Sequence, residues 1–107
     1  MTVVSDILAS DIVDTGDVAK VAHSSVRSVL RWQDPGTTPR RDTEERLLEL
    51  KAVLDLARRV FGDETARLWL RSPVPALDYE KPLELVAAGQ WREVIDVLLA
   101  FAEGVTA

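Results

Sequence analysis

Serine and arginine side chains cluster over a short stretch near the N-terminus, and both groups can contact nucleic acid. Arginine pairs with guanine edges or with phosphates, and serine bonds to phosphate oxygens. Two further arginines in the following loop are placed to reach the DNA backbone. The predicted DNA-contacting residues are Ser24, Ser25, Arg27, Ser28, Arg31, Arg40 and Arg41.

These side chains require a helix-turn-helix to present them. The pattern predicts a short helix from Thr15 or Asp17 to Ala22, a turn at His23 and Ser24, and a helix capped by Ser24 or Ser25. Apolar residues of the two helices would then pack together: Val18 and Ala22 against Val26, Val29 and Leu30 or Trp32. The alternative is a hairpin that only supports the core, with its arginines in solvent. Asp11, Asp14 and Asp17 favour this alternative, since they weaken attraction to phosphate.

No pattern in the chain indicates catalysis. His23 is the only histidine, cysteine is absent, and the five glycines are isolated. Acidic pairs such as Glu44–Glu45 and Asp63–Glu64 occur where helices are predicted to begin, which complements the helix dipole. Clustered ligands for a metal are not evident either. We therefore predict a protein that is not an enzyme and has no cofactor or metal.

Composition predicts a globular protein with an uneven charge distribution. The 107 residues are 47% hydrophobic and carry a formal net charge of −5, which suits one folded domain. Residues 15–41 hold five basic residues against two acidic ones, whereas residues 72–107 hold two basic residues against six acidic ones. The two ends therefore suit different partners. No apolar run is long enough for a membrane span, and the acidic N-terminus lacks a signal-peptide pattern, so we expect a cytoplasmic protein.

The remaining helices follow from apolar periodicity and from helix-breaking residues. Ser5 is a possible cap of the first helix, and Thr43 is predicted to cap a long helix that Gly62 ends. That long helix is broadly apolar, so it is either central to the core or covers a second chain. The dimerisation residues predicted on its main stripe are Leu47, Leu50, Leu54 and Phe61.

The C-terminal third predicts three short helices around a proline-containing loop. One helix runs from Asp63 to Arg71, a second begins at Pro82 and ends at Gly89, and a third begins at Gln90. No strand pattern occurs, so the predicted fold is an all-α, compact bundle of about seven helices. We divide it into a helix-turn-helix region at residues 1–41, a connecting or dimerisation helix at 42–62 and a small C-terminal helical domain at 63–107.

Two motifs resemble the MbcA/ParS/Xre antitoxins. The run SSVRSVLRW resembles the helix-turn-helix of the MbcA branch, although His23 stands where glycine is usual. Residues 69–107 are similar to the family's C-terminal toxin-binding domain: Trp-Leu, a proline-containing loop, a Pro-Leu-acidic-Leu helix, a glycine and a final helix. The loop departs from the common pattern at Pro73–Val74–Pro75 and at Asp78–Tyr79–Glu80, which implies altered toxin preference.

The resemblance implies an antitoxin of a type II toxin–antitoxin pair. Its partner would be a RES-domain toxin that consumes NAD, and the C-terminal domain and tail would block the toxin's active-site cleft. Tyr79 and Lys81, in the segment between Pro75 and Pro82, are candidates for exposure because an amphipathic tyrosine suits an interface. The toxin-binding residues so inferred are Pro73, Leu77, Tyr79, Lys81, Glu103, Gly104, Val105, Thr106 and Ala107.

The resemblance leaves two alternatives open, and they differ in what the DNA-binding region does. In the family's usual arrangement, the complex would bind its own promoter as a homodimer and repress it. One alternative is a stand-alone helix-turn-helix transcriptional regulator whose C-terminal domain serves dimerisation. The other is a toxin-binding module that has lost DNA binding.

Overall fold

The computed structural model describes residues 2–104, which form seven α-helices and one 3-10 turn. The helices are α1 (Val3–Ala9), α2 (Thr15–Ala22), α3 (Val26–Arg31), α4 (Arg41–Phe61), α5 (Asp63–Leu70), α6 (Pro82–Ala87) and α7 (Trp91–Ala102), and the 3-10 turn is Pro75–Leu77. Within residues 2–104 the only β-type pairing is an isolated bridge between Val74 and Glu80. The predicted all-α fold with about seven helices is confirmed.

Several helix boundaries follow from local chemistry. Asp14 caps α2 by accepting the backbone N–H of Asp17, and Asp17 accepts the N–H of Asp14 in return. Ser25 caps α3 and accepts the N–H of Ser28 at 3.1 Å. Pro82 occupies the first turn of α6, where its missing N–H leaves no donor unsatisfied. All three boundaries agree with the pattern in the sequence.

Two predicted caps are wrong. Thr2, and not Ser5, caps α1, since its hydroxyl accepts the N–H of Ser5. The long helix α4 begins at Arg41, and Thr43 lies inside its first turn with only 8% of its surface exposed. Thr43 therefore contributes packing, while the residue before α4, Arg40, makes no side-chain cap.

Helix α4 is the central element of the bundle, and α1, α2, α5 and α7 all pack against it. Leu47, Leu50 and Leu54 lie on its inner face, each with at most 1% of its surface exposed. The assignment of these three leucines to a dimer contact is therefore wrong, because the chain's own helices already cover them. Phe61, at the end of the same stripe, is only partly buried.

The hydrophobic core is continuous along the chain. It takes buried residues from every helix and includes Val74 and Leu77 of the proline-containing loop. Because helices from the N-terminal, central and C-terminal segments share this core, each segment holds the others in position. Surface residues of all three segments are therefore held in fixed relative positions.

Candidate partner-binding surfaces

The helix-turn-helix region is a tight hairpin of α2 and α3. His23 joins them in the left-handed conformation (φ 54°), which histidine tolerates better than most residues, and the following N–H of Ser24 donates to the carbonyl of Ala19 at 3.0 Å. Val29 of α3 is fully buried against the core. Val26 is 42% exposed, so its predicted inward packing is wrong. Of the two alternatives Leu30 and Trp32, Leu30 is 52% exposed, whereas Trp32 is buried.

The polar residues predicted to contact DNA are grouped on α3, but the serines already have local partners. The hydroxyl of Ser25 donates to Ser28 Oγ at 3.2 Å, and Arg31 Nη2 donates to the same oxygen at 3.4 Å. Ser24 Oγ donates to the carbonyl of Ala22. Arg27 and Arg31 are exposed, and neither forms an ion pair with any residue in 2–104. The two arginines are therefore the residues of α3 with free charge.

Arg40 and Arg41 lie on a different element, at the beginning of α4. Both are highly exposed and form only long ion pairs, Arg40 with Asp42 at 3.8 Å and Arg41 with Glu45 at 4.0 Å. Exposed pairs of this length contribute little stability. The guanidinium groups therefore remain available to an anionic partner.

Polar contacts fasten the hairpin to the C-terminal segment. Arg71, just after α5, donates two hydrogen bonds to the Asp17 carboxylate, one of them at 3.0 Å from Nη1 to Oδ1. His23 Nε2 donates to the carbonyl of Ala87 at the end of α6 at 2.7 Å. Arg67 Nε donates to the carbonyl of Asp11 at 2.9 Å. These contacts orient the hairpin relative to α5 and α6.

The Asp17 carboxylate is electrostatically stabilised by these contacts. Partial burial alone would raise the pKa of Asp17, but the hydrogen bonds and charge of Arg71, together with the N–H of Asp14, hold that pKa below its ordinary value of 3.8. The same pair raises the pKa of Arg71. Both groups are therefore charged at neutral pH.

The proline-containing loop is a closed and rigid structure. The N–H groups of Val74 and Tyr79 donate to the carbonyls of Glu80 and Val74, and buried Val74 and Leu77 anchor the loop to the core. Asp78 and Tyr79 both adopt left-handed backbone, with φ values of 54° and 64°. This conformation is strained for residues other than glycine, and the Tyr79 side chain is 71% exposed.

The loop places the predicted toxin-binding residues in two positions. Pro73, Tyr79 and Lys81 are exposed, which confirms the exposure predicted for Tyr79 and Lys81. Leu77 is 7% exposed, so it forms part of the wall beneath the loop and not a projecting contact.

A groove lies between this loop and α7, with about 540 Å³ of solvent-accessible space. Buried Leu77 and Leu85 and half-buried Val97 provide its apolar surface. Its carboxylates come from both sides: Asp78, Glu80, Glu93 and Asp96. Among residues 2–104, none of these four belongs to an ion pair. The sequence showed the acidic balance of this region but not its concentration in one groove.

Three aromatic rings pack together near the C-terminal end of α7. The centroid of Phe61 lies 5.3 Å from that of Trp69 and 5.2 Å from that of Phe101. All three residues are only partly buried. Glu103 and Gly104 follow as exposed residues, while Val105, Thr106 and Ala107 lie outside the described residues.

Within the part of the chain that the structure describes, no group of three or more histidine, cysteine, aspartate or glutamate residues is arranged to hold a metal. The helices found in residues 2–104 also include none that is long and apolar enough to cross a membrane.

Comparison with known proteins places these surfaces in context. Residues 56–104 match the model of a family described as the antitoxin Xre/MbcA/ParS C-terminal toxin-binding domain. The mycobacterial cidal antitoxin MbcA of Mycobacterium tuberculosis (strain H37Rv) is 36% identical over 89 residues, which is 83% of this chain and 79% of the relative. MbcA of Mycobacterium bovis matches with the same values.

The similarity extends to three-dimensional structure. A chain in the crystal structure of the M. tuberculosis MbcT–MbcA toxin–antitoxin complex superposes with a TM-score of 0.87 at 32% sequence identity. The match covers 98% of this chain and 95% of the other.

Proposed function

Because the chain belongs to the MbcA/ParS/Xre antitoxin family, we propose that it binds a cognate toxin and neutralises it. The observation that carries this proposal is the match of residues 56–104 to the toxin-binding domain, together with the fold shared with a chain of a toxin–antitoxin complex. The proposed toxin carries a RES domain and consumes NAD, and the proposed mechanism is steric occlusion of its substrate cleft.

The exposed parts of the C-terminal segment suit this mechanism. Tyr79 and Lys81 project from a loop that backbone hydrogen bonds already fix, so little conformational entropy is lost when a partner covers them. An exposed tyrosine supplies a large contact area and a hydroxyl for a hydrogen bond. We propose that this loop docks on the toxin and that residues 103–107 cover the cleft.

Co-expression tests neutralisation. The neighbouring open reading frame is expressed alone and then with this chain, and growth and co-purification are measured. Toxicity of the neighbour alone, rescue by this chain and a stable complex are the expected results. A harmless neighbour, or one that does not bind, contradicts the proposal. Removal of residues 103–107 then tests occlusion by the tail: we expect binding to persist while rescue is lost, and full rescue contradicts that part of the mechanism.

DNA binding is a second proposed activity, supported by the unpaired charges of Arg27 and Arg31 on α3. We propose that the complex represses its own promoter, with Arg40 and Arg41 reaching phosphates from α4. The double change Arg27→Ala and Arg31→Ala is expected to weaken promoter binding and to flatten its salt dependence. Equal promoter binding by the variant and the unaltered protein contradicts this role.

A homodimer belongs to the DNA-binding proposal, because paired helix-turn-helix units read half-sites about one helical turn apart. Its contact must use exposed residues, for example Leu48, which is 51% exposed on α4. Sedimentation of the chain with and without toxin measures this assembly. A stable, soluble dimer that binds the promoter but no toxin would instead favour a stand-alone regulator.

A further inference from the structure

The groove between the proline-containing loop and α7 combines unneutralised charge with a shaped apolar surface. Eight of the chain's basic residues form ion pairs within residues 2–104, yet none of these pairs includes a carboxylate of the groove. Arg92 is adjacent to Glu93 in sequence, but its guanidinium lies over the ring of Trp91, 5.5 Å from the centroid. Within residues 2–104, the lining of the groove holds four carboxylates and no lysine or arginine, although Lys81 follows Glu80 in sequence, so its local charge is negative.

The four carboxylates of the groove are spread over its two walls and do not form a compact set of ligands. Asp78 and Glu80 lie on the loop and Glu93 and Asp96 on α7, and within residues 2–104 no three such groups converge as metal ligands. Carboxylates spread along a groove are instead suited to several separate cations. A polypeptide segment with several arginine or lysine side chains would place separate cations along the groove.

The groove's apolar surface also matches such a segment. Arginine and lysine side chains bury their aliphatic stems on apolar surface and keep the charged head at a polar edge. Leu77, Leu85 and Val97 offer that surface, and the carboxylates above them accept charge-assisted hydrogen bonds.

The groove is preorganised for binding. The N–H of Val74 donates to the carbonyl of Glu80 at 3.1 Å, and the N–H of Asp78 donates to the carbonyl of Pro75 at 3.1 Å. On the opposite side, α7 packs against α4 and α6 through the fully buried Val94 and Leu98. Neither wall has to be ordered when a partner arrives, which reduces the entropic cost of association.

We propose that this groove receives an arginine- or lysine-bearing segment of the toxin. The proposal rests on the toxin-binding function proposed above and deepens it, because it names the chemistry of the partner's contact. The negative groove would steer the basic segment during encounter, and its apolar surface would hold the side-chain stems in the complex. Asp78 and Glu80 belong both to the groove and to the loop proposed to dock on the toxin, so the two contacts are continuous.

A matched pair of double variants tests the groove. Glu93→Gln with Asp96→Asn removes two charges from α7 without changing side-chain size. Asp6→Asn with Glu64→Gln removes two exposed charges from other helices, and Glu64, like Glu93, lies in the first turn of its helix. Thermal unfolding confirms that each variant is folded. Association rate and Kd for the toxin encoded beside this chain are then measured at low and at high salt.

The groove variant is expected to weaken toxin binding by about tenfold or more, mainly through slower association, and to flatten its salt dependence. The control variant is expected to bind like the unaltered chain. Salt-insensitive binding by the unaltered chain, or equal binding by both variants, overturns the groove proposal while leaving neutralisation intact. Groove-dependent self-association of the chain alone would identify a second copy as the occupant and also overturn it. If the unaltered chain does not bind the toxin at all, the proposed function fails and the groove proposal fails with it.

Discussion

The ion pair between Arg71 and Asp17 offers the most direct test of how the hairpin is held. Two guanidinium nitrogens donate to the two carboxylate oxygens, and one oxygen also accepts the N–H of Asp14. The Asp17 side chain is 17% exposed and that of Arg71 is 41% exposed. Replacement of Arg71 by alanine leaves a mostly buried carboxylate with one remaining partner. We expect this change to destabilise the whole chain, because α2 belongs to the common core.

The magnitude follows from the pair's partial exposure. Exposed ion pairs contribute about 0.2–1 kcal/mol, whereas hydrogen bonds to charged groups contribute about 1.5–3 kcal/mol. Because solvent partly screens Arg71, its contribution lies near the lower end of the range for hydrogen bonds to charged groups. Arg71→Ala is therefore expected to lower the free energy of unfolding by about 1.5 kcal/mol. In a chain of this size that loss lowers Tm by about 7 °C. Arg71→Lys should recover only part of it, because an ammonium cannot form the two-pronged contact.

The stability that the Asp17–Arg71 pair contributes should fall as the pH is lowered. The native pKa of Asp17 lies below 3.8, so its stabilisation is fully present above that value and is lost as pH falls through the native pKa. The cost of Arg71→Ala should therefore be largest near pH 7 and should shrink on acidification below pH 3.8. Urea and thermal unfolding at several pH values measure this, with circular dichroism as the signal.

A double-mutant cycle and a control complete the test. Asp17→Asn removes the charge but keeps an oxygen for the N–H of Asp14, so the cycle with Arg71→Ala isolates the pair. Arg58→Ala breaks a similar contact, in which Arg58 Nε donates to Asp63 at 2.9 Å, but joins residues only five positions apart. It should cost less than Arg71→Ala. A coupling near zero, or a cost of Arg71→Ala that does not change with pH, refutes the reasoning.

Three further substitutions have defined outcomes. Leu50→Ala opens a cavity in the fully buried face of α4 and should cost about 3 kcal/mol in urea unfolding; a cost below that of a surface change would contradict the central position of α4. Gly89→Ala places a side chain at φ +85° with no atom within 4 Å, so strain alone should lower stability by about 1 kcal/mol, and an unchanged Tm would contradict this. Tyr79→Ala removes an exposed ring and should leave Tm nearly unchanged while weakening toxin binding about tenfold or more; equal Kd values would remove Tyr79 from the proposed contact.

Sequence reasoning succeeded where a short stretch of chain determines its own conformation. Pro82 and Gly89 bound α6 because proline lacks an N–H and glycine accepts a positive φ, and both constraints are local. Thr43 misled the prediction because its type is typical of a cap, whereas packing buries it inside α4. The first turn of α4 forms without a side-chain cap, and packing of Thr43 against the core accompanies it.

Periodicity alone could not identify what covers an apolar helix face. The stripe of Leu47, Leu50 and Leu54 was correctly identified as covered, but the cover is the chain's own helices and not a second chain. The contacts that fasten the hairpin are equally invisible in sequence, since His23 meets Ala87 across 64 positions and Asp17 meets Arg71 across 54. The groove depends on the same kind of information, because its two acidic walls meet only when the loop packs beside α7.

The backbone strain and the unpaired charges of the folded chain lie on its surface. Within residues 2–104, no buried side-chain polar atom lacks a hydrogen-bond partner. By contrast, the loop holds two consecutive left-handed residues, and the groove holds four carboxylates without a cation. Local strain of this kind persists only where the surrounding structure imposes it. Such strained sites cluster where proteins bind partners. A basic segment bound in the groove would neutralise these charges without moving the core. Complex formation should therefore stabilise the chain more strongly at low salt than at high salt, a difference that thermal unfolding of the purified complex would measure.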